Sequence, residues 1–276
     1  MTAARPDASA TRALAWLYAP GTQRALLAAL CAIEDEIGAS LQPGLDHGIA
    51  HLRLEWWRAE CARTAAGTPA HPATRAALAS LAGRDPELLA GLTGLVDAAA
   101  WDLATATFGT RRELAGYCER WAEAAIVPLA RLAAPQVEPA AARALGAALR
   151  EGELLACLAR DARAGRLRLP LDELAAARVD PGQLADPPWP AALVALLRAR
   201  HARLRTELAA AVASLPRTAQ PVLRALFVWA ALTDGASRRA ERRLPGAPTA
   251  RDDHGALDGW RAWRAARRAD AGRFEL

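Results

Sequence analysis

Apolar residues recur at intervals of three and four along almost the whole chain, and no stretch alternates apolar with polar residues as a half-buried strand would. The spacing predicts an all-α protein with helices over 9–18, 22–39, 46–66, 71–82, 86–106, 111–133, 139–163, 189–214, 219–243 and 253–270. Local chemistry marks several boundaries. Asp85-Pro86 supplies an N-cap followed by proline at the first helical position, and Thr110 with Glu113 has the spacing of a capping box. Gly67, Gly83 and Gly165 each follow a periodic segment, where a residue with positive φ commonly ends a helix. Between Gly165 and Pro190 the pattern changes to GRLRLPLDELAAARVDPGQLADPPWP, whose five prolines leave room only for short helical turns. This segment reads as a long ordered connection or a flap.

The 276 residues, 53% of them apolar, are enough to bury a sizeable core. No internal repeat or long low-complexity tract divides them, so the expectation is a disordered N-terminus over 1–10 and one helical domain over 11–276. Every basic side chain is an arginine, and the formal charge is +5 with a pI near 9.6. Such a balance permits anionic partners, but a solvated surface of arginine and glutamate explains it as well. The nine tryptophans fall mostly at helical core spacing and do not form an interleaved basic and aromatic nucleic-acid surface, so no nucleic-acid partner is expected. Residues 1–10 lack the apolar core of a secretory signal and no run of about 18 apolar residues appears, which predicts a cytoplasmic protein. Cys31, Cys61, Cys118 and Cys157 form no CxxC pair and read as buried reduced thiols.

Familiar catalytic signatures are missing: there is no glycine-rich phosphate loop, no GxSxG and no Cys/His pairing at a spacing that proposes a nucleophile. His47 and His51 lie at i and i+4, but Glu55 is two turns from His47, about 12 Å along the axis, so a structural reading is preferred to a shared ion. His71, before Pro72, fits a turn role. The C-terminal stretch GWRAWRAARRADAGRF combines Trp260 and Trp263 with Arg261, Arg264, Arg267 and Arg268. The preferred reading is that the two tryptophans anchor a final helix onto the domain; an anionic membrane surface is the alternative. Two acidic segments remain, AIEDEIGAS over 32–40 and LLACLARDARAGRLRLP over 154–170. Helices that turn carboxylates toward one cavity can hold Mg²⁺, each ion taking one or two carboxylates, waters and oxygens of a diphosphate.

In order and spacing these segments resemble the squalene/phytoene synthase family over about residues 14–245. RALLAALCAIEDEI is similar to its first aspartate-rich helix, LEWWRAE and HPATRAAL to the segments that follow, and WDLATATFGTRRELAGYCERWA to its central helices. RDARAGRLRLPLDEL resembles the second aspartate-rich segment and its flap. The resemblance implies a single-domain isoprenoid-synthase-type helical bundle around a central cavity. It also implies a transferase that joins two prenyl diphosphates (farnesyl or geranylgeranyl) head to head, with Mg²⁺ held between two DxxxD-type motifs.

Carried onto this chain, the motifs are incomplete. The first keeps Asp35, with Glu36 beside it, but its second aspartate falls on Ala39, and no other frame restores an i, i+4 acid pair. In the second, the first aspartate falls on Cys157 while Asp161 is kept; an asparagine falls on Glu153 and an arginine on Ala156. The arginine preceding the first motif falls on Ala32, the tyrosine of GRxYLP on Arg168, and Arg166 matches. Glu123 and Ile126 replace small glycine positions. The resemblance therefore implies remnant metal positions at Asp35, Glu36 and Asp161, and substrate contacts at Glu153, Arg166 and Arg168. It is strongest to a non-catalytic branch typified by a mitochondrial assembly factor for respiratory complex I. The expected function is a non-catalytic isoprenoid-binding or complex-assembly protein that needs no cofactor, with an isoprenoid or prenyl diphosphate ligand, a protein partner and peripheral contact with the inner face of the membrane as its partners. The alternative is an active head-to-head transferase with a rearranged Mg²⁺ site.

Overall fold

Helices form where the apolar spacing predicts them, and the start and stop residues act as their chemistry requires. The computed structural model describes residues 8–42, 44–104, 107–247 and 256–276, and every regular element among them is helical. The α-helices are α1 (Ala8–Trp16), α2 (Gly21–Gly38), α3 (His47–Ala65), α4 (Pro72–Ser80), α5 (Thr93–Leu103), α6 (Arg111–Ala125), α7 (Val127–Ala133), α8 (Pro139–Ala156), α9 (Leu158–Arg163), α10 (Leu171–Ala176), α11 (Ala191–Ser214), α12 (Arg224–Arg243) and α13 (Ala256–Asp270). Of the segment expected to be disordered, residues 1–7 lie outside the described residues, and residues 8–10 already belong to α1. The Asp85 side chain accepts a hydrogen bond from Glu87 N at 2.9 Å, and the predicted glycine stops have φ of 79°, 83° and 76° at Gly67, Gly83 and Gly165.

Three predicted helices are divided. The one expected over 86–106 opens as the 3₁₀ helix Pro86–Leu92 and becomes α-helical only at Thr93. The one expected over 111–133 divides at Ile126, because Pro128 lacks an N–H and its ring excludes the carbonyl four residues back. The one expected over 139–163 divides at Cys157, whose N–H is shared between the carbonyls of Glu153 and Leu154 at 3.2 and 3.3 Å.

The chain forms two compact units: one of Met1–Ala19, Thr107–Ala115 and Ala147–Leu276, the other of Pro20–Ala106 and Gly116–Gly146. In the first, α1, α11 and α13 all pack on α12. Phe227, Val228, Trp229 and Ala230 are all fully buried, so α12 is apolar on every side over this stretch, as a central helix must be. In the second, α2 packs on α4 and α5, and α3 on α5 and the 3₁₀ turn Pro86–Leu92. Gly91 and Gly94 face the carbonyls of Glu123 and Arg120 on α6, where a Cβ would collide. Ile126, at a position where the resemblance expects glycine, is fully buried, and Gly146 on α8 leaves its space.

A buried carboxylate ties α3 to α4. Glu60 accepts from the backbone N–H groups of Ala70 and His71 at 2.8 Å each, from Thr74 Oγ1 and from Arg63. Burial pushes this carboxyl up, but those donors together outweigh it and hold it below the ordinary carboxylate range.

Candidate functional site

The second acidic segment lies wholly in the first unit. Glu153 sits near the end of α8 and Asp161 on α9, and the positive φ of Gly165 turns the chain so that Arg166 N returns to the Asp161 carbonyl at 2.8 Å. Arg168 is thereby brought inward to 5% exposure, and its Nε donates to Asp161 Oδ2 at 2.9 Å. Arg160 donates to the other oxygen, Oδ1, at 3.0 and 3.2 Å. Both oxygens of Asp161 therefore carry a guanidinium.

Glu153 is treated the same way by different residues. Arg12 reaches it from α1 with contacts of 2.9 Å to each oxygen, and Arg150, one turn earlier on α8, donates at 2.8 Å. The Arg12 guanidinium also lies over the Trp229 ring, 5.3 Å from its centroid, which fixes its direction. Arg166 differs: it is half-buried, and no carboxylate among the described residues pairs with it. Cys157 is buried and its thiol is pushed up to about 11 by burial, so it stays protonated and inert.

The segment after α9 is an ordered connection. Leu171 N and Asp172 N donate to the carbonyls of Phe108 and Gly109 at 2.8 and 3.1 Å. Trp189 Nε1 donates to the Leu184 carbonyl, and Leu174, Leu184 and Trp189 are buried. Beneath it Glu151 accepts from Arg111 at 2.8 Å and from Arg200 at 2.7 Å, while Arg200 also donates to Glu173 on α10 at 3.2 Å.

The first acidic segment belongs to the second unit and is much more open. Residues i and i+1 on a helix diverge by about 100°, so the three acids cannot share one direction. Glu34 turns inward and accepts from the buried Trp121 Nε1 at 3.1 Å. Asp35 and Glu36 are exposed. Ala39 opens a 3₁₀ turn, Ala39–Leu41, and its N–H caps the Asp35 and Ile37 carbonyls. Glu36 lines a cleft of about 200 Å³ with Arg53, Trp56, Trp57 and His71.

His47 and His51 meet at 3.1 Å between their Nε2 atoms on the exposed side of α3, while Glu55 turns to Arg58 at 3.7 Å. His71 acts as the N-cap of α4, accepting from Ala73 N at 3.2 Å. Among the described residues, no group of three or more His, Cys, Asp and Glu side chains is arranged to hold a metal ion.

Sequence reasoning missed the partners of the acids. Arg12 is 141 residues from Glu153, and nothing local signals the pair. Arg160 is next to Asp161, and the Arg-Asp dipeptide does carry a visible signal. Trp260 and Trp263 correct an expectation: each is 54% exposed, and α13 is held instead by Ala262, Ala265, Ala266 and Ala269. A tryptophan would be too large for the close approach that α12 and α13 make at Gly235, where a Cβ would meet the Arg261 guanidinium.

The family model of squalene/phytoene synthase matches residues 5–251. No curated protein matches the chain. Among solved structures, a dehydrosqualene synthase in complex with ligand is similar at 16% identity and a TM-score of 0.68, over 95% of this chain and 90% of that one. The squalene synthase HpnC from Alicyclobacillus acidocaldarius is similar at 19% identity and a TM-score of 0.65, over 86% and 89%. The fold is thus the all-α isoprenoid-synthase fold.

Proposed function

Because the chain belongs to the squalene/phytoene synthase family, we propose that it binds an isoprenoid or prenyl diphosphate without carrying out metal-dependent prenyl transfer. The observation that carries this reading is the Asp161 carboxylate, whose two oxygens are taken by Arg168 and Arg160. For Mg²⁺ to coordinate Asp161 or Glu153 it would displace charge-assisted hydrogen bonds worth about 1.5–3 kcal/mol each. The remaining motif positions, a methyl group at Ala39 and a protonated thiol at Cys157, offer nothing to a hard cation. These residues do not fit paired Mg²⁺ motifs. The guanidiniums supply fixed positive charge instead, and Arg166, without a carboxylate partner, is assigned to the anionic head of the ligand.

The same reading gives the protein a carrier or complex-assembly role, with a protein partner and peripheral contact at the inner membrane face, from the cytoplasm. The rival is an active transferase whose rearranged site draws on Glu34, Asp35, Glu36, Glu153 and Asp161; the exposure of Asp35 and Glu36 favours it. Thermal unfolding with a non-hydrolysable farnesyl diphosphate analogue separates the two. Equal stabilisation in EDTA and in Mg²⁺, lowered by Arg166→Gln, is expected; stabilisation that appears only with Mg²⁺ would establish the rival.

A further inference from the structure

The outward face of α13 has a composition that its packing does not use. Leu257 is 76% exposed and Trp260 and Trp263 are 54% exposed, and all three fall on the side opposite Ala262, Ala265, Ala266 and Ala269. Arg264, Arg267 and Arg268 lie on this same face, exposed, with no carboxylate partner among the described residues. Arg264 stacks 5.2 Å from the Trp260 ring centroid, which places a cation level with the indole.

The helix is fixed from beneath. Asp258 is buried and holds Arg239 at 2.9 and 3.0 Å and Arg261 at 2.7 Å. Past its C-terminal end, Gln220 exchanges two hydrogen bonds with the Phe274 backbone, and Phe274 packs against Phe227. The exposed ridge is therefore presented on a formed helix and needs no ordering to act.

We propose that this face of α13 is a docking surface for an anionic lipid bilayer, with Leu257, Trp260 and Trp263 entering the interface and Arg264, Arg267 and Arg268 meeting lipid phosphates. The charge decides the occupant: three unpaired guanidiniums beside two indoles match a negatively charged interface, where tryptophan is also favoured. No described helix is long and apolar enough to cross a membrane, and 15 residues lying flat cover about 22 Å. The proposal gives the membrane contact of the functional reading a location, but its test needs no prenyl ligand, so either can fail alone.

The test is sedimentation of the full chain with vesicles of phosphatidylcholine alone or mixed with phosphatidylglycerol. Binding is expected to the mixed vesicles and to weaken with salt. Trp260→Ala with Trp263→Ala should weaken it about tenfold or more. Arg264→Gln, Arg267→Gln and Arg268→Gln together should weaken it about 100-fold, from about fivefold per arginine. Unchanged circular dichroism and melting of both exposed variants would tie the losses to the surface. No binding to the mixed vesicles, or equal binding by the variants, would overturn the proposal. So would a wild-type dimer in sedimentation velocity that the tryptophan variant makes monomeric, because a second copy would then cover the face.

Discussion

The two acidic segments have parted in opposite ways. Around α2 two of the three acids, Asp35 and Glu36, are exposed while Glu34 turns in to Trp121, and position 39 offers a methyl group. Around α8 and α9 the acids are sealed: Glu153 and Asp161 are each 6% exposed and each is bound by two arginines. A diphosphate-metal site needs carboxylates that are ionised, paired and available, and neither segment keeps all three properties. In the proposed reading, one motif is lost by removing a ligand and the other by giving its acids arginine partners. In the second case the acids become structural, because removing the carboxylate takes a counter-charge from two arginines at once.

The largest test of this contrast is stability. Asp161→Ala removes the carboxylate that accepts from the buried Arg168 and from Arg160, and should cost about 3–5 kcal/mol in urea unfolding. Asp35→Ala should stay within about 0.5 kcal/mol. Equal effects in the two segments would remove the distinction between sealed and open.

Acid should sharpen the difference. His201 is buried in the first unit beside Ser237 and Arg205, and burial first, then Arg205, lowers it to about 4. Between about 6.5 and 4 the unfolded chain binds a proton that the folded chain refuses, so stability falls by up to about 3 kcal/mol as pH drops through that window. Glu60 in the second unit is held low, so its contribution is present above its unfolded pKa and is lost only as pH falls toward the lower folded value. His201→Gln should flatten the slope of urea midpoints between pH 6.5 and 4; an unchanged slope would assign the loss elsewhere. Glu34→Gln, which weakens the bond from Trp121, should cost about 1 kcal/mol, and the smallest effects belong to Asp35→Asn and Glu36→Gln.

Much of this was legible in the chain because helical periodicity and capping are local. The stops at Gly67, Gly83 and Gly165, the Asp85 cap and the start of α6 at Arg111 could all be read from a few neighbouring residues. Pro128 was a visible breaker that the strong flanking periodicity masked. The break at Cys157 has no comparable residue signal. The incomplete motifs were also legible as residue types, but not what satisfied their remaining acids. Arg12 with Glu153 is a pairing across 141 residues, and Trp121 with Glu34 spans 87. The role of α13 was misread because tryptophan ordinarily marks a packed face, whereas here alanines permit the close approach to α12 and the indoles are left outside.

The central claim is that the acids of this chain no longer work metal ions on a prenyl diphosphate. Its most direct test is incubation of the purified full-length protein with Mg²⁺ and farnesyl or geranylgeranyl diphosphate, following diphosphate release and head-to-head product together. The account expects neither above the protein-free rate. Turnover that requires Mg²⁺ and disappears in a folded Asp161→Asn variant would contradict it.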